Sequence, residues 1–155
     1  MRKILPLLLA LLMLACNRTK HNSASDPAYS MLERVAELNA GGDKHGTLAL
    51  ADSALRMHPA DTTRCWLLSE KAVTLVDMGR MADAVDVARG AYRLAEKLHD
   101  VDAMLNLRGT MGIAYRRLGK TDSALVQYKE GIQMALAEHN AEYEIYLNNC
   151  VTVLY

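Results

Sequence analysis

The sequence predicts an all-α protein in which pairs of helices stack side by side. Its composition is one reason: 51% of the 155 residues are hydrophobic, only three are proline, and alanine, leucine and methionine are abundant. The other is an internal repeat with a period of forty residues, which is typical of an array of helical hairpins. The matching pairs are Gly79 and Gly119, Ala84 and Ala124, Ala95 and Ala135, His99 and His139, Leu107 and Leu147, and Tyr115 and Tyr155.

The N-terminal end has the pattern of a signal peptide. Arg2 and Lys3 precede an uncharged, leucine-rich stretch from Ile4 to Ala15. A membrane-spanning helix needs ~20 apolar residues, whereas this stretch has the length of a signal-peptide core. Residues 1–15 are therefore interpreted as a signal peptide that is removed from the mature chain.

The end of this stretch, Met13-Leu14-Ala15-Cys16, resembles the lipobox of bacterial lipoproteins, although that family usually has leucine where Met13 stands. The resemblance implies that Cys16 carries the lipid and that the protein is anchored in the cell envelope, facing the periplasm. Inner and outer membrane both stay open, and an ordinary secretory leader is the alternative. Because the next residues are polar, residues 16–27 are expected to form the lipidated cysteine and a flexible tether, followed by a helical domain at residues 28–155.

Each repeat unit is expected to contain two helices, A and B. The clearest copy places helix A at residues 101–118 and helix B at residues 122–138. Asp100 is positioned to cap the A helix and Thr121 the B helix. Gly119 suits the left-handed residue that commonly ends a helix.

This copy resembles the tetratricopeptide repeat in the small and aromatic positions of helix A, in the turn and in the opening of helix B. The matching residues are Gly112, Tyr115, Gly119, Lys120, Asp122, Ser123, Ala124, Leu125, Tyr128 and Gly131. Arg108 replaces the usual aromatic near the start of helix A. Two looser copies precede it and one helix, residues 141–155, follows. The resemblance therefore implies an α-solenoid of three helix pairs plus a final unpaired helix, similar to the periplasmic repeat regions of lipoproteins and sensor proteins of the Bacteroidota.

The small residues of the repeat have a physical role where helices cross. Two helix axes approach to ~8–10 Å only if a small side chain lies at the contact. Gly112, Ala124 and Gly131 are assigned to such crossings, with Tyr115 and Tyr128 filling the space beside them. Gly112 is expected to tolerate alanine but not leucine.

The family resemblance implies that the A helices line a concave face that binds a partner. Helical spacing selects its residues, and the expected groove consists of Tyr29, Glu33, Trp66, Glu70, Asp77, Asn106, Thr110, Arg117 and Tyr146. This mixture of aromatic and polar residues is typical of a binding surface. For Trp66 two interpretations stay open: a partner contact, or packing against the preceding B helix near Leu55. Glu70 and Asp77 would repel a carboxylate, so the carboxylate clamp of some family members is not expected.

No catalytic, cofactor or metal site is expected. His99 and His139 are one repeat apart without further ligands, so they are interpreted as histidines that favour the helix dipole. Cys65 and Cys150 lie two units apart, beyond the reach of a disulfide, and are expected to be free thiols. The formal charge is balanced, which disfavours nucleic-acid binding.

These observations predict a non-enzymatic, lipid-anchored scaffold that binds a protein or peptide through its concave face. The alternative is the ectodomain or N-terminal fragment of a signalling protein, such as a sensor kinase or regulator, and a glycan-binding lipoprotein is a more distant possibility. No B helix is expected to cover Val151, Leu154 and Tyr155 of the final helix. This predicts either self-association through that end or a missing continuation of the chain.

Overall fold

A computed structural model describes residues 26–154 and shows seven helices and no strand within that range. The helices are α1 (Tyr29–Ala40), α2 (Lys44–Leu55), α3 (Asp61–Asp77), α4 (Met81–Leu98), α5 (Val101–Arg117), α6 (Thr121–Ala137) and α7 (Ala141–Thr152). The predicted all-α solenoid of three helix pairs and a final helix is confirmed. The expected signal peptide, Cys16, most of the tether and Tyr155 lie outside the described residues.

The helices form two layers. Each helix packs on the next one in the chain, and short turns join them, so neighbours run antiparallel. The A helices α1, α3, α5 and α7 also contact one another in that order, which places them together in one layer. The B helices α2, α4 and α6 form the other layer. Within residues 26–154, no helix is both long and apolar enough to cross a membrane.

The turns between helices alternate between glycine and histidine. Glycines with positive φ follow three A helices: Gly42 (81°), Gly79 (79°) and Gly119 (72°). Histidines with positive φ follow three B helices: His58 (53°), His99 (54°) and His139 (55°). The repetition of His99 and His139 is thus explained by left-handed backbone, a conformation in which histidine is enriched among non-glycine residues, and not by the helix dipole alone.

The caps agree only partly with expectation. Asp100 is confirmed as the cap of α5, because its Oδ1 accepts from the backbone N–H of Ala103 at 3.0 Å. The assignment of Thr121 was wrong: Lys120 is the N-cap of α6 and Thr121 is the first helical residue, without a side-chain capping bond. Both helices of this unit therefore end one residue earlier than expected, and α6 begins one residue earlier.

Asp26 joins the start of the described chain to the second hairpin. Its Oδ1 accepts from the N–H of Ala28 at 3.0 Å and its Oδ2 from the N–H of Ala60 at 3.1 Å. A hydrogen bond from Thr63 is the main reason that the pKa of Asp26 is lowered. Asp26, at the end of the predicted tether, thus contacts the first and second hairpins of the helical array.

The core depends on close helix crossings. A Cβ added to Gly112 of α5 would lie 2.2 Å from Cε1 of Tyr128, whose side chain is fully buried in α6. In the preceding unit the same two positions hold Ala72 and Ala88, both fully buried. The predicted role of Gly112 at a crossing is confirmed, but its expected tolerance of alanine is wrong, because even one methyl group displaces a buried ring.

The final helix is better covered than expected. Val151 and Leu154 are half-buried against the cluster that contains Leu105, Tyr128 and Leu147. The most exposed apolar residues of this end are instead Ile145 (62%) and Val153 (66%). Self-association through this end stays a prediction.

We expect Gly112→Ala to lower the free energy of unfolding by about 1–3 kcal/mol, because it overpacks the contact with Tyr128. Gly90→Ala is the matched control, since Gly90 lies within α4 and a Cβ there meets nothing within 4 Å. It should stabilise the protein by roughly 0.5–1 kcal/mol through helix propensity. Urea denaturation followed by circular dichroism measures both, and equal effects of the two substitutions would contradict the crossing.

We expect His99→Gly to raise the free energy of unfolding by up to about 1 kcal/mol, because glycine adopts the left-handed conformation without strain. His45→Gly is the control, since His45 lies within α2 with ordinary helical geometry. Glycine at this position should lower the stability of the protein. Thermal melts of the two variants give the comparison. A loss of stability in His99→Gly would show that the imidazole, rather than the backbone, is needed there.

Candidate functional site

A cleft opens between the A helices α3, α5 and α7. Its volume is ≈ 380 Å³, within the size range of sites that take small ligands or peptide side chains. The residues that line it are Val73, Val76, Asp77, Asn106, Thr110, Ile113, Arg117, Glu142, Tyr143 and Tyr146. We call this the A-face cleft.

The structure brings together five of the residues that helical spacing had selected. Asp77, Asn106, Thr110, Arg117 and Tyr146 all line the A-face cleft, although they belong to three different helices. Their convergence follows from the forty-residue period, which puts equivalent positions of successive A helices side by side.

The other four selected residues do not line the cleft. Tyr29 and Glu33 are exposed on α1. Glu70 accepts a 2.7 Å hydrogen bond from Nδ2 of Asn39, so it links α3 to α1. Trp66 packs half-buried against the cluster of α3, α4 and α5, and its Nε1 donates to Oδ2 of Asp100 at 3.0 Å.

Neither interpretation of Trp66 describes the contact that its indole makes. Leu55 belongs to a different core cluster, between the first hairpin and α3. The indole N–H reaches forward to Asp100, the N-cap of α5, and thereby ties the second unit to the third. We therefore assign Trp66 to the joint between units.

Two cations fix the C-terminal end of α3 beside the cleft. Nη1 of Arg117 donates to the backbone carbonyl of Val76 at 2.8 Å, and Nζ of Lys44 donates to that of Asp77 at 3.0 Å. The last carbonyls of a helix lack partners within the helix and carry its negative dipole, so basic side chains stabilise them. One donor group of Arg117 is thus used within the protein.

Helix α7 supplies the aromatic wall of the cleft. The rings of Tyr143 and Tyr146 meet edge to face, with centroids 6.3 Å apart and planes at 79°. Tyr146 can lie across α5 only because Gly109 has no side chain: a Cβ there would be 2.9 Å from Cε1 of Tyr146. A Cβ on Gly131 of α6 would likewise be 2.7 Å from Cδ1 of Leu147. Both glycines therefore allow α7 to pack closely on α5 and α6.

Burial controls the ionisation of this wall. It raises the pKa of Tyr143 and of Tyr146, so both phenols are protonated at neutral pH. Burial also raises the pKa of the half-buried Cys150 thiol, and raises that of the buried Cys65 thiol to about 11. Both cysteines are free, as expected, and neither has the lowered pKa of a reactive thiol.

The expected groove did not include the other five lining residues, which are Val73, Val76, Ile113, Glu142 and Tyr143. Tyr143 occupies a position that is alanine one unit earlier and threonine two units earlier. A change from a small residue to an aromatic on the last A helix was the available signal. Within residues 26–154, no group of three or more histidine, cysteine, aspartate and glutamate side chains is arranged to hold a metal ion.

Comparison with known proteins agrees with this architecture. The family model of the tetratricopeptide repeat matches residues 63–137, which contain nearly all of α3 and the whole of α4, α5 and α6. The match supports a tetratricopeptide-repeat protein, a kind that generally mediates protein–protein interaction and is typically a non-enzymatic scaffold. No curated protein and no solved structure matches the chain.

Proposed function

We propose that this protein is a scaffold that binds a protein or peptide segment in the A-face cleft, and that a lipid on Cys16 anchors it to a membrane of the cell envelope. Partner binding is supported by one observation: polar and aromatic residues from α3, α5 and α7 converge on one open cleft. Core residues of a helical array would be apolar there, whereas interfaces combine aromatic anchors with hydrogen-bonding groups.

The composition of the cleft suits an extended segment of chain. Val73, Val76 and Ile113 offer an apolar floor, and Asn106 and the tyrosines offer hydrogen-bonding groups beside it. The residues that line the cleft belong to three successive repeat units, so an occupant would contact several units. Such a site selects a partner by shape and by a few polar contacts.

Anchoring is proposed on the N-terminal sequence alone. Arg2, Lys3 and the apolar stretch ending at Cys16 support it. Stable attachment needs more than one acyl chain, which the lipoprotein resemblance implies. The alternative role, as the ectodomain of a signalling protein, predicts a further segment encoded in the same reading frame after Tyr155.

Peptides that bind the full-length chain can be selected from a random display library. We expect these peptides to bind the Tyr146→Ala variant about tenfold or more weakly than the natural chain, because Tyr146 forms an aromatic wall of the cleft. Val126→Ala is the control: Val126 is 48% exposed on α6, outside the cleft, and should leave the affinity unchanged. Fluorescence anisotropy gives the affinities, with circular dichroism to confirm folding. Selected peptides that bind Tyr146→Ala as tightly as the natural chain would refute the cleft as the binding site.

We expect cells that express Cys16→Ala to incorporate no labelled fatty acid into the protein, and the chain to leave the membrane fraction or stay unprocessed. Cys150→Ala is the matched control and should keep both the label and the membrane association, because Cys150 lies within α7. Fatty-acid labelling that persists in Cys16→Ala would contradict the proposal that Cys16 carries the lipid.

A further inference from the structure

We infer that the A-face cleft selects a partner segment that carries a lysine or arginine side chain, held between the carboxylate of Glu142 and the rings of Tyr143 and Tyr146. This inference rests on the proposed function, since it names the chemistry of the segment bound there. It depends on four features of the α7 end of the cleft: its charge, its unpaired acceptor, its aromatic surface and its distance from Arg117.

The α7 end of the cleft is acidic. Burial is the main cause of the raised pKa of Tyr143; a side-chain hydrogen bond with Asn106 lowers this pKa, and the charges of Asp102, Glu142 and Asp100 raise it. Of these three carboxylates, Glu142 lines the cleft. Asp100 accepts its hydrogen bonds from neutral groups, the indole of Trp66 and a backbone N–H. The carboxylate of Glu142 takes part in no hydrogen bond or ion pair within residues 26–154. The charge of Glu142 is therefore open to a cationic ligand.

An unpaired acceptor lies in the same place. Oδ1 of Asn106 is buried and accepts no hydrogen bond within the described chain. A buried carbonyl without a donor is unfavourable, and a ligand that brings N–H groups relieves it. Ammonium and guanidinium groups are donors only, and they carry the charge that Glu142 requires.

The aromatic wall offers a surface for the same kind of group. Tyr146 is 40% exposed and meets Tyr143 edge to face, so part of its ring is accessible from the cleft. Cations bind over the faces of aromatic rings. The chain already uses this interaction between α4 and α5, where the guanidinium of the half-buried Arg108 lies 4.7 Å from the centroid of the Tyr92 ring.

Arg117 does not neutralise this end. Among residues 26–154 it is the only basic residue that lines the cleft. It belongs to the C-terminal turn of α5, whereas Glu142 belongs to the first turn of α7. Since the A helices run parallel, these residues lie at opposite ends of the layer. Arg117 also donates to the carbonyl of Val76 and lines the cleft together with Asp77. A segment that spans the cleft therefore meets mixed charge at one end and negative charge at the other.

The test uses the full-length chain in a non-ionic detergent and fluorescent peptides of one common alanine–serine frame that carry lysine, glutamine or glutamate at the same positions. We expect the lysine peptide to bind about tenfold more tightly than the glutamate peptide at low ionic strength, with the glutamine peptide between them, and the difference to shrink as salt is added. Glu142→Gln should weaken the lysine peptide about three- to fivefold and leave the glutamine peptide unchanged. Glu138→Gln, which removes the same charge outside the cleft, should change neither.

The outcomes separate this inference from the proposed function. Equal binding of the three peptides, a preference for the glutamate peptide, or a lysine peptide indifferent to Glu142→Gln would overturn the cationic selection. If library peptides still depended on Tyr146 in any of those cases, the cleft would remain a binding site for segments of another charge. Absence of any peptide that depends on Tyr146 would overturn both proposals.

Discussion

The space between α5 and α6 is the constraint on which the third unit depends. Gly112 and Tyr128 share it so closely that a single methyl group on Gly112 would enter the tyrosine ring. The preceding unit satisfies the same constraint differently, with Ala72 opposite Ala88. One unit therefore satisfies the constraint with two small side chains, and the other with a glycine opposite a large ring. A glycine is required only where its partner is a full aromatic ring, because dense cores accept little excess volume.

This constraint extends from the core to the cleft. Gly109 and Gly131 leave room for Tyr146 and Leu147, so α7 lies close to both α5 and α6. Without that approach Tyr146 would not form a wall of the cleft. The recognition surface and the core are thus coupled through the same small positions, and a substitution at Gly109 would change the shape of the site without touching any partner.

Much of the fold could be predicted from the sequence because the forty-residue period records which positions face one another. The same period located five lining residues of the cleft. The period does not predict long-range contacts of single side chains. The indole of Trp66 reaches Asp100, thirty-four residues away, and Arg117 reaches the carbonyl of Val76. The recurrence of His99 was visible in the sequence, but only the backbone dihedral shows why it recurs. A periodic pattern reports position, whereas polar pairings depend on side-chain reach and rotamer.

The outer face of α7 differs from its counterpart on α5 in a way that bears on what can pack there. Leu105, Gly109 and Gly112 of α5 correspond to Ile145, Asn149 and Thr152 of α7, forty residues on. The two glycines that permit close approach are thus replaced by larger polar residues, both exposed. A helix packed on this face would have to lie farther from α7 than α6 and α7 lie from α5, because interaxial distance grows with the side chains at the contact. The exposed Ile145 and Val153 offer apolar surface on this face, but the polar residues beside them favour a looser and more polar contact than the one inside the array.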